Sequence, residues 1–105
     1  MKKKQVFFED AIKDLGNSAD KIAKKLKSLK IRGHRNEADI CPIGNYLTEK
    51  GFEDVAVYQS GIDARLSGNG YSFTFTITPS KAIESFITRF DNGKYPELDA
   101  DATGQ

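Results

Sequence analysis

The sequence predicts an α+β domain: a three-stranded antiparallel meander covered mainly on one face by helices, in the order α-α-α-β-β-β-α. Three observations lead there. Residues 55–78 alternate apolar and polar side chains across two turn-forming segments. The first fifty residues carry apolar positions at helical spacing, with capping residues between them. A last helical stripe follows the meander at residues 79–93.

Within the meander, Val55, Val57 and Gln59 alternate with Ala56 and Tyr58, and Ser60-Gly61 reads as a two-residue turn. That turn sets Gln59 opposite Ile62, Val57 opposite Ala64 and Val55 opposite Leu66. Closing the next turn over Ser67-Gly68-Asn69-Gly70 sets Leu66 opposite Tyr71, Ala64 opposite Phe73 and Ile62 opposite Phe75. Both turns assign the same residues to the buried face, because side chains alternate along a strand. Val57, Ala64 and Phe73 are therefore expected side by side beneath the helices.

The helices follow from stripes and caps. Phe8, Ala11, Ile12 and Leu15 share a face, and Gly16-Asn17 stops that helix. Ser18 is an N-cap for a helix over residues 18–30, with Asp20 in the first turn and a stripe of Ala19, Ile22, Ala23, Leu26 and Leu29. Residues 32–39 are polar and turn-prone and read as a loop. Pro42 suits the first position of a short helix with Ile43, Tyr46 and Leu47 inward, ended by Gly51. Thr78-Pro79 repeats that signal, with Thr78 as N-cap for the stripe Ala82, Ile83, Phe86, Ile87 and Phe90 and with Gly93 as the left-handed cap. This helix is expected to lie across the meander beside the helix of residues 18–30. Tyr95, Pro96 and Leu98 are expected to fold back over the core.

With 105 residues, 38% of them apolar, the chain fits one domain over residues 1–98, and residues 99–105 are expected to form a disordered tail. No apolar run approaches the ~20 residues of a membrane span, and no secretory signal opens the chain, so a cytoplasmic protein is expected. A single cysteine excludes an internal disulfide framework.

The net charge of +1 conceals an asymmetry: residues 1–35 hold eleven Lys and Arg against four Asp and Glu, and residues 36–105 hold five against eleven. A basic surface built from Lys21, Lys24, Lys25, Arg32 and Arg35 is one consequence, suited to nucleic acid or an acidic protein. The simpler reading, solvated helix faces offset by the acidic remainder, is preferred. The polar face of residues 18–30 is nearly all lysine, so any nucleic-acid binding there is phosphate-directed rather than base-reading.

Catalytic signals are few. Cys41 falls at the N-cap of its helix, where the dipole and Arg32, His34 or Arg35 are able to lower its pKa, with His34 as a base. The preferred alternative is a small buried thiol with no reactivity. His34, Glu37, Asp39 and Cys41 match no zinc spacing, so no metal is expected. The glycines at 61, 68 and 70 sit in hairpin turns, so no phosphate loop and no cofactor is expected.

Two segments, Cys41-Pro42-Ile43-Gly44-Asn45-Tyr46-Leu47 and Phe86-Ile87-Thr88-Arg89-Phe90-Asp91-Asn92-Gly93-Lys94-Tyr95-Pro96-Glu97-Leu98, resemble a group of small bacterial proteins of unassigned function. The likeness spans residues 18–98 as an order of elements, and its motifs cover about twenty positions. It implies a bacterial or phage-related cytoplasmic protein and no catalytic residue, and it leaves residues 1–17 as an addition.

Residues 71–78 contain no charge and include Tyr71, Phe73 and Phe75. As the outer strand of a meander they present unpaired backbone groups, a surface for a partner strand or a homodimer unless the chain's own ends cover it. The expected function is a small non-catalytic binding or regulatory protein acting through protein contacts. Electrostatic nucleic-acid binding by residues 18–30 is the first alternative, and thiol chemistry at Cys41 the second.

Overall fold

The computed structural model of the chain describes residues 2–100, with side chains described from residue 7 onward. The elements run α1 (Lys2–Lys13), α2 (Ala19–Ser28), α3 (Pro42–Glu49), β1 (Glu53–Val57), β2 (Ile62–Gly68), β3 (Tyr71–Ile77) and α4 (Lys81–Asp91), then a 3₁₀ turn at Pro96–Leu98. The strands form one antiparallel sheet in the order β1-β2-β3. Val55, Val57, Ile62, Ala64 and Phe75 are buried on its inner face, with Leu66, Phe73 and Ile77 packed against the same core. Ser72, Thr74 and Thr76 occupy the opposite face, exposed. The α+β class, the element order and the one-sided helical cover are as the sequence predicts.

The register differs. Val57 pairs with Ile62, Ala64 with Phe75 and Leu66 with Phe73. The first turn is Gln59-Ser60, closed by Tyr58 N–H to the Gly61 carbonyl at 2.9 Å, and the second is Asn69-Gly70 between paired Gly68 and Tyr71. Each slip moves a partner by two residues, which preserves the inward face. Val57, Ala64 and Phe73 thus share one face without standing directly opposite one another. The pairing of β1 with β2 is also irregular between Glu53 and Ala56, where Asp54 takes φ +50°. This extra residue re-aims β1 and brings Asp54 to Arg65, whose Nε donates to Asp54 Oδ2 at 2.8 Å.

A three-stranded sheet needs cover on its apolar face, and α1 contributes much of it. Phe8 is fully buried, stacked on Phe75 at 5.4 Å and set edge-on to Phe52 at 5.1 Å. The Tyr46 hydroxyl donates to the Ala11 carbonyl at 2.8 Å inside the core. The described part of α1 is therefore woven into the domain. Ser18 caps α2 as expected, accepting from Lys21 N–H at 3.2 Å. Ile22 and Leu26 are buried, but Leu29 is 45% exposed because the helix ends before it, and Ile31 fills the core instead.

The start of α4 is corrected. Its N-cap is Ser80, which accepts from Ile83 N–H at 3.3 Å, so Thr78 and Pro79 precede the helix. Ser80 fills the capping role for a helix that starts two residues later than expected, which leaves Pro79 to pack inward from the approach. Gly93 takes φ +83° past the C-terminus, as a left-handed cap requires. α4 packs beside α2, and α3 packs on β1.

The expected tail begins too early. Asp99 is buried and paired with Arg35 at 2.9 Å, and Ala100 N–H donates to the Gly33 carbonyl at 2.9 Å. Residues 101–105 lie outside the described residues. Gly33 also donates to the Leu98 carbonyl at 2.9 Å, so residues 33 and 99 bridge in parallel. A methyl group at Gly33 would overlap the Cys41 carbonyl carbon and the Pro42 nitrogen, which are backbone and unable to yield. Gly33→Ala is accordingly expected to cost about 3 kcal/mol in denaturant unfolding, as overpacking against a fixed neighbour does. Gly61→Ala, whose added carbon would lie 3.7 Å from the Ile77 carbonyl, is the control and is expected to stay within about 0.5 kcal/mol.

Candidate functional site

Two surfaces follow from this architecture: the outer edge of β3, and a cleft beside the end of β1. The cleft arises because the loop at residues 32–41 is held rigidly. Asn45 Nδ2 donates to the Arg32 carbonyl at 2.7 Å and to the Ile40 carbonyl at 3.2 Å, which ties both ends of the loop to α3. His34 N–H donates to the Ile40 carbonyl at 2.9 Å, and Val57 N–H donates to the Ala38 carbonyl at 2.8 Å. Asn36, at φ +61°, donates its N–H to Asp91 Oδ1 at 2.9 Å and so fastens the loop to α4. Across from it, Gln59 Nε2 donates to Thr88 Oγ1 at 2.5 Å.

Between loop, strand end and helix lies a cleft of about 660 Å³. Ala56, Val57, Phe86, Ile87 and Phe90 give it apolar walls, and Tyr58 stands at it 52% exposed. Glu37, Asp39 and Asp91 supply three carboxylates. Among the described residues, no ion pair joins any of them to a cation. Nor do any three His, Cys, Asp or Glu side chains among the described residues stand close enough together to hold a metal ion.

Cys41 also lines the cleft but is 9% exposed. Its sulfur caps α3, accepting from Gly44 N–H at 3.4 Å, and its thiol donates to the Ala38 carbonyl at 3.8 Å. Burial pushes the thiol from its ordinary 9.0 up to about 11, outweighing the hydrogen bonds from the Gly44 and Ile43 backbone, while Asp91 raises it further. Arg32, His34 and Arg35 are not among the groups that move it. At neutral pH the group is a protonated cap, and this burial speaks against the thiolate expectation. His34 is half-buried in the loop.

The other expected site residues separate. Lys21, Lys24 and Lys25 are exposed on α2, and Arg32 is exposed at the loop start. Arg35 is committed to buried Asp99, which removes it from the basic surface. On β3, Phe75 is 7% exposed and belongs to the core, and its backbone groups face β2, so it offers nothing at the edge. Tyr71 is 41% exposed and lies 5.2 Å from half-buried Phe73, leaning over Gly68. The two-residue turn sets the ladder alternation from Gly68 and Tyr71. Ser72, Thr74 and Thr76 consequently direct N–H and C=O away from β2. Among the described residues, no backbone hydrogen bond from outside the sheet reaches those three. The segment at residues 95–98 does not cover this edge: Tyr95 stacks on Phe86 at 5.4 Å and donates to Asp20 at 2.8 Å.

Sequence reasoning missed the cleft, since nothing local connects residues 36–41, 56–59 and 86–91. The fold brings Cys41 together there with Phe86, Ile87, Phe90 and Asp91. Comparison with family models, curated proteins and solved structures finds no match for this chain.

The thiol carries a pH signature. A raised pKa means that the folded state holds the proton more tightly than the unfolded state. The associated stability is intact below about pH 9 and is lost as pH rises toward about 11. The stability difference between the native chain and Cys41→Ala is expected to shrink by about 2–3 kcal/mol across that window in urea unfolding. A difference that stays flat would show the thiol to be exposed to water.

Proposed function

We propose that the protein is a small non-catalytic binding module that acts through protein contacts, by accepting an extended strand on the outer edge of β3. The carrying observation is that Ser72, Thr74 and Thr76 direct their backbone groups outward in a strand of seven uncharged residues. Soluble proteins usually block such an edge with a charge, a proline or a covering segment. This strand has neither charge nor proline, and the segment at residues 95–98 packs elsewhere. Strand addition uses main-chain hydrogen bonds for affinity and alternate side chains for selection. A second copy of the chain is the simplest partner, because β3 against β3 is self-complementary about a two-fold axis.

The second reading, electrostatic binding of nucleic acid, is favoured by the exposed Lys21, Lys24 and Lys25, which form no ion pair among the described residues. It calls for affinity that falls steeply between 50 and 200 mM salt, about tenfold or more for a few phosphate contacts, in a mobility assay.

Strand addition is tested at Thr74. Thr74→Pro removes the outward N–H while sparing the ladder to β2, and Thr74→Lys places a charge on the edge. Light scattering over a concentration series is expected to show a dimer that both variants reduce to monomer with unchanged circular dichroism. A native chain that stays monomeric at millimolar concentration, or a dimer indifferent to both substitutions, would remove self-pairing from the reading.

A further inference from the structure

We infer that the cleft between the loop at residues 36–41, the end of β1 and α4 receives Lys or Arg side chains from a basic segment of a partner protein. This site is separate from the β3 edge and stands whether or not that edge pairs. Four features of the cleft fit such an occupant. Its volume of about 660 Å³ suits one or two long side chains rather than a folded element. Its apolar walls at Ala56, Val57 and Ile87 match the methylene stem of lysine or arginine, which buries its carbons while the charged head stays at a polar rim. The rim carries Glu37, Asp39 and Asp91, none of them in an ion pair among the described residues. Tyr58, 52% exposed, supplies a ring face for a cation.

The alternatives fit less well. The carboxylates are too dispersed to hold one metal ion together. Strand addition is blocked here, because Val57 N–H already binds the Ala38 carbonyl and Tyr58 N–H binds the Gly61 carbonyl. Recognition therefore passes through side chains. Three of the chain's four arginines are engaged elsewhere, with Arg35 on Asp99, Arg65 on Asp54 and Arg89 beside Asp20. The negative charge at the cleft is left for an incoming cation. Asp91 adds rigidity, since one of its oxygens already fixes the loop through Asn36 N–H and holds the carboxylate in place.

The probe is a fluorescein-labelled peptide of alternating Lys and Leu, with a Glu-for-Lys peptide of equal length as control. Anisotropy titration is expected to show binding of the basic peptide only. The double change Glu37→Gln with Asp39→Asn is expected to weaken it about fivefold, in line with two partly exposed ion pairs. Ile87→Ser is expected to weaken it about three- to tenfold by wetting the stem's wall. Glu97→Gln, an exposed carboxylate outside the cleft, and Thr74→Pro at the sheet edge should leave it unchanged. Equal loss with Glu97→Gln would reduce the effect to net charge and overturn the proposal. So would failure of the basic peptide to bind, or indifference to the Glu37 and Asp39 changes. Loss of binding with Thr74→Pro alone would place the peptide on the strand edge, against the proposal but in favour of strand addition. If salt-sensitive self-association appears instead and Lys24→Glu with Lys25→Glu abolishes it, the occupant is a second copy and the partner assignment falls.

Discussion

The fold depends on one close crossing of backbone on backbone. Gly33 lies against the Cys41–Pro42 peptide with no room for a side chain, and it hydrogen-bonds Leu98 and Ala100 on its other flank. Three segments distant in sequence are thereby locked together: the exit from α2, the entrance to α3 and the last described residues. Burial of Asp99 follows from the same crossing, and an unpartnered buried carboxylate is costly, so Arg35 is drawn in to meet it. Because the loop at residues 34–40 must start at Gly33 and end at Cys41, this contact also fixes one wall of the cleft.

The second constraint is the small sheet. Three strands leave one apolar face to be covered by other elements, and among the described residues no strand pairs with β3 on its far side. The aromatic group of Phe8, Phe52 and Phe75 answers this by joining α1, the entry to β1 and β3 in one cluster. A fully buried Phe contributes about 2–3 kcal/mol, so α1 is a structural requirement rather than an appendage. The middle of the inner face is thus covered, and among the described residues the polar outer face and the outer edge of β3 carry no packed element.

What could be read from the sequence was local. Ser18, Pro42 and Gly93 announce helix ends through the chemistry of orphan backbone groups, and they hold in the structure. The buried face of the meander was legible because it depends only on parity. The pairing was not, because residue type favours a turn at Ser60-Gly61 over the adjacent Gln59-Ser60, and Asn69-Gly70 closes a tighter loop than four turn-prone residues imply. Ser80 competed with Thr78 for the same cap, and only the path of the chain after β3 decides between them. Asp99 looked like tail because its partner is sixty-four residues away. Asn45, Gly33 and the whole cleft were invisible for the same reason: their roles are set by segments that no periodicity connects.

Charge shows how these levels join. The basic first third and acidic remainder do not simply cancel when the chain folds. Arginines take up the carboxylates at structural junctions, where their planar fork suits a fixed oxygen: Arg35 on Asp99, Arg65 on Asp54 and Glu53, Arg89 beside Asp20. The pairs of Arg65 and Arg89 are open to water and add little stability, whereas the Arg35 pair neutralises a buried group. Lysines, with compact and strongly hydrated heads, remain on α2, and the carboxylates of the cleft form no ion pair among the described residues. A near-neutral molecule therefore carries separated positive and negative surfaces. Such a separation orients an approaching charged molecule before contact, within a Debye length of about 8–10 Å. On the proposed reading, selection proceeds in two stages, with the field choosing which surface is approached and the apolar walls or the strand edge deciding what stays.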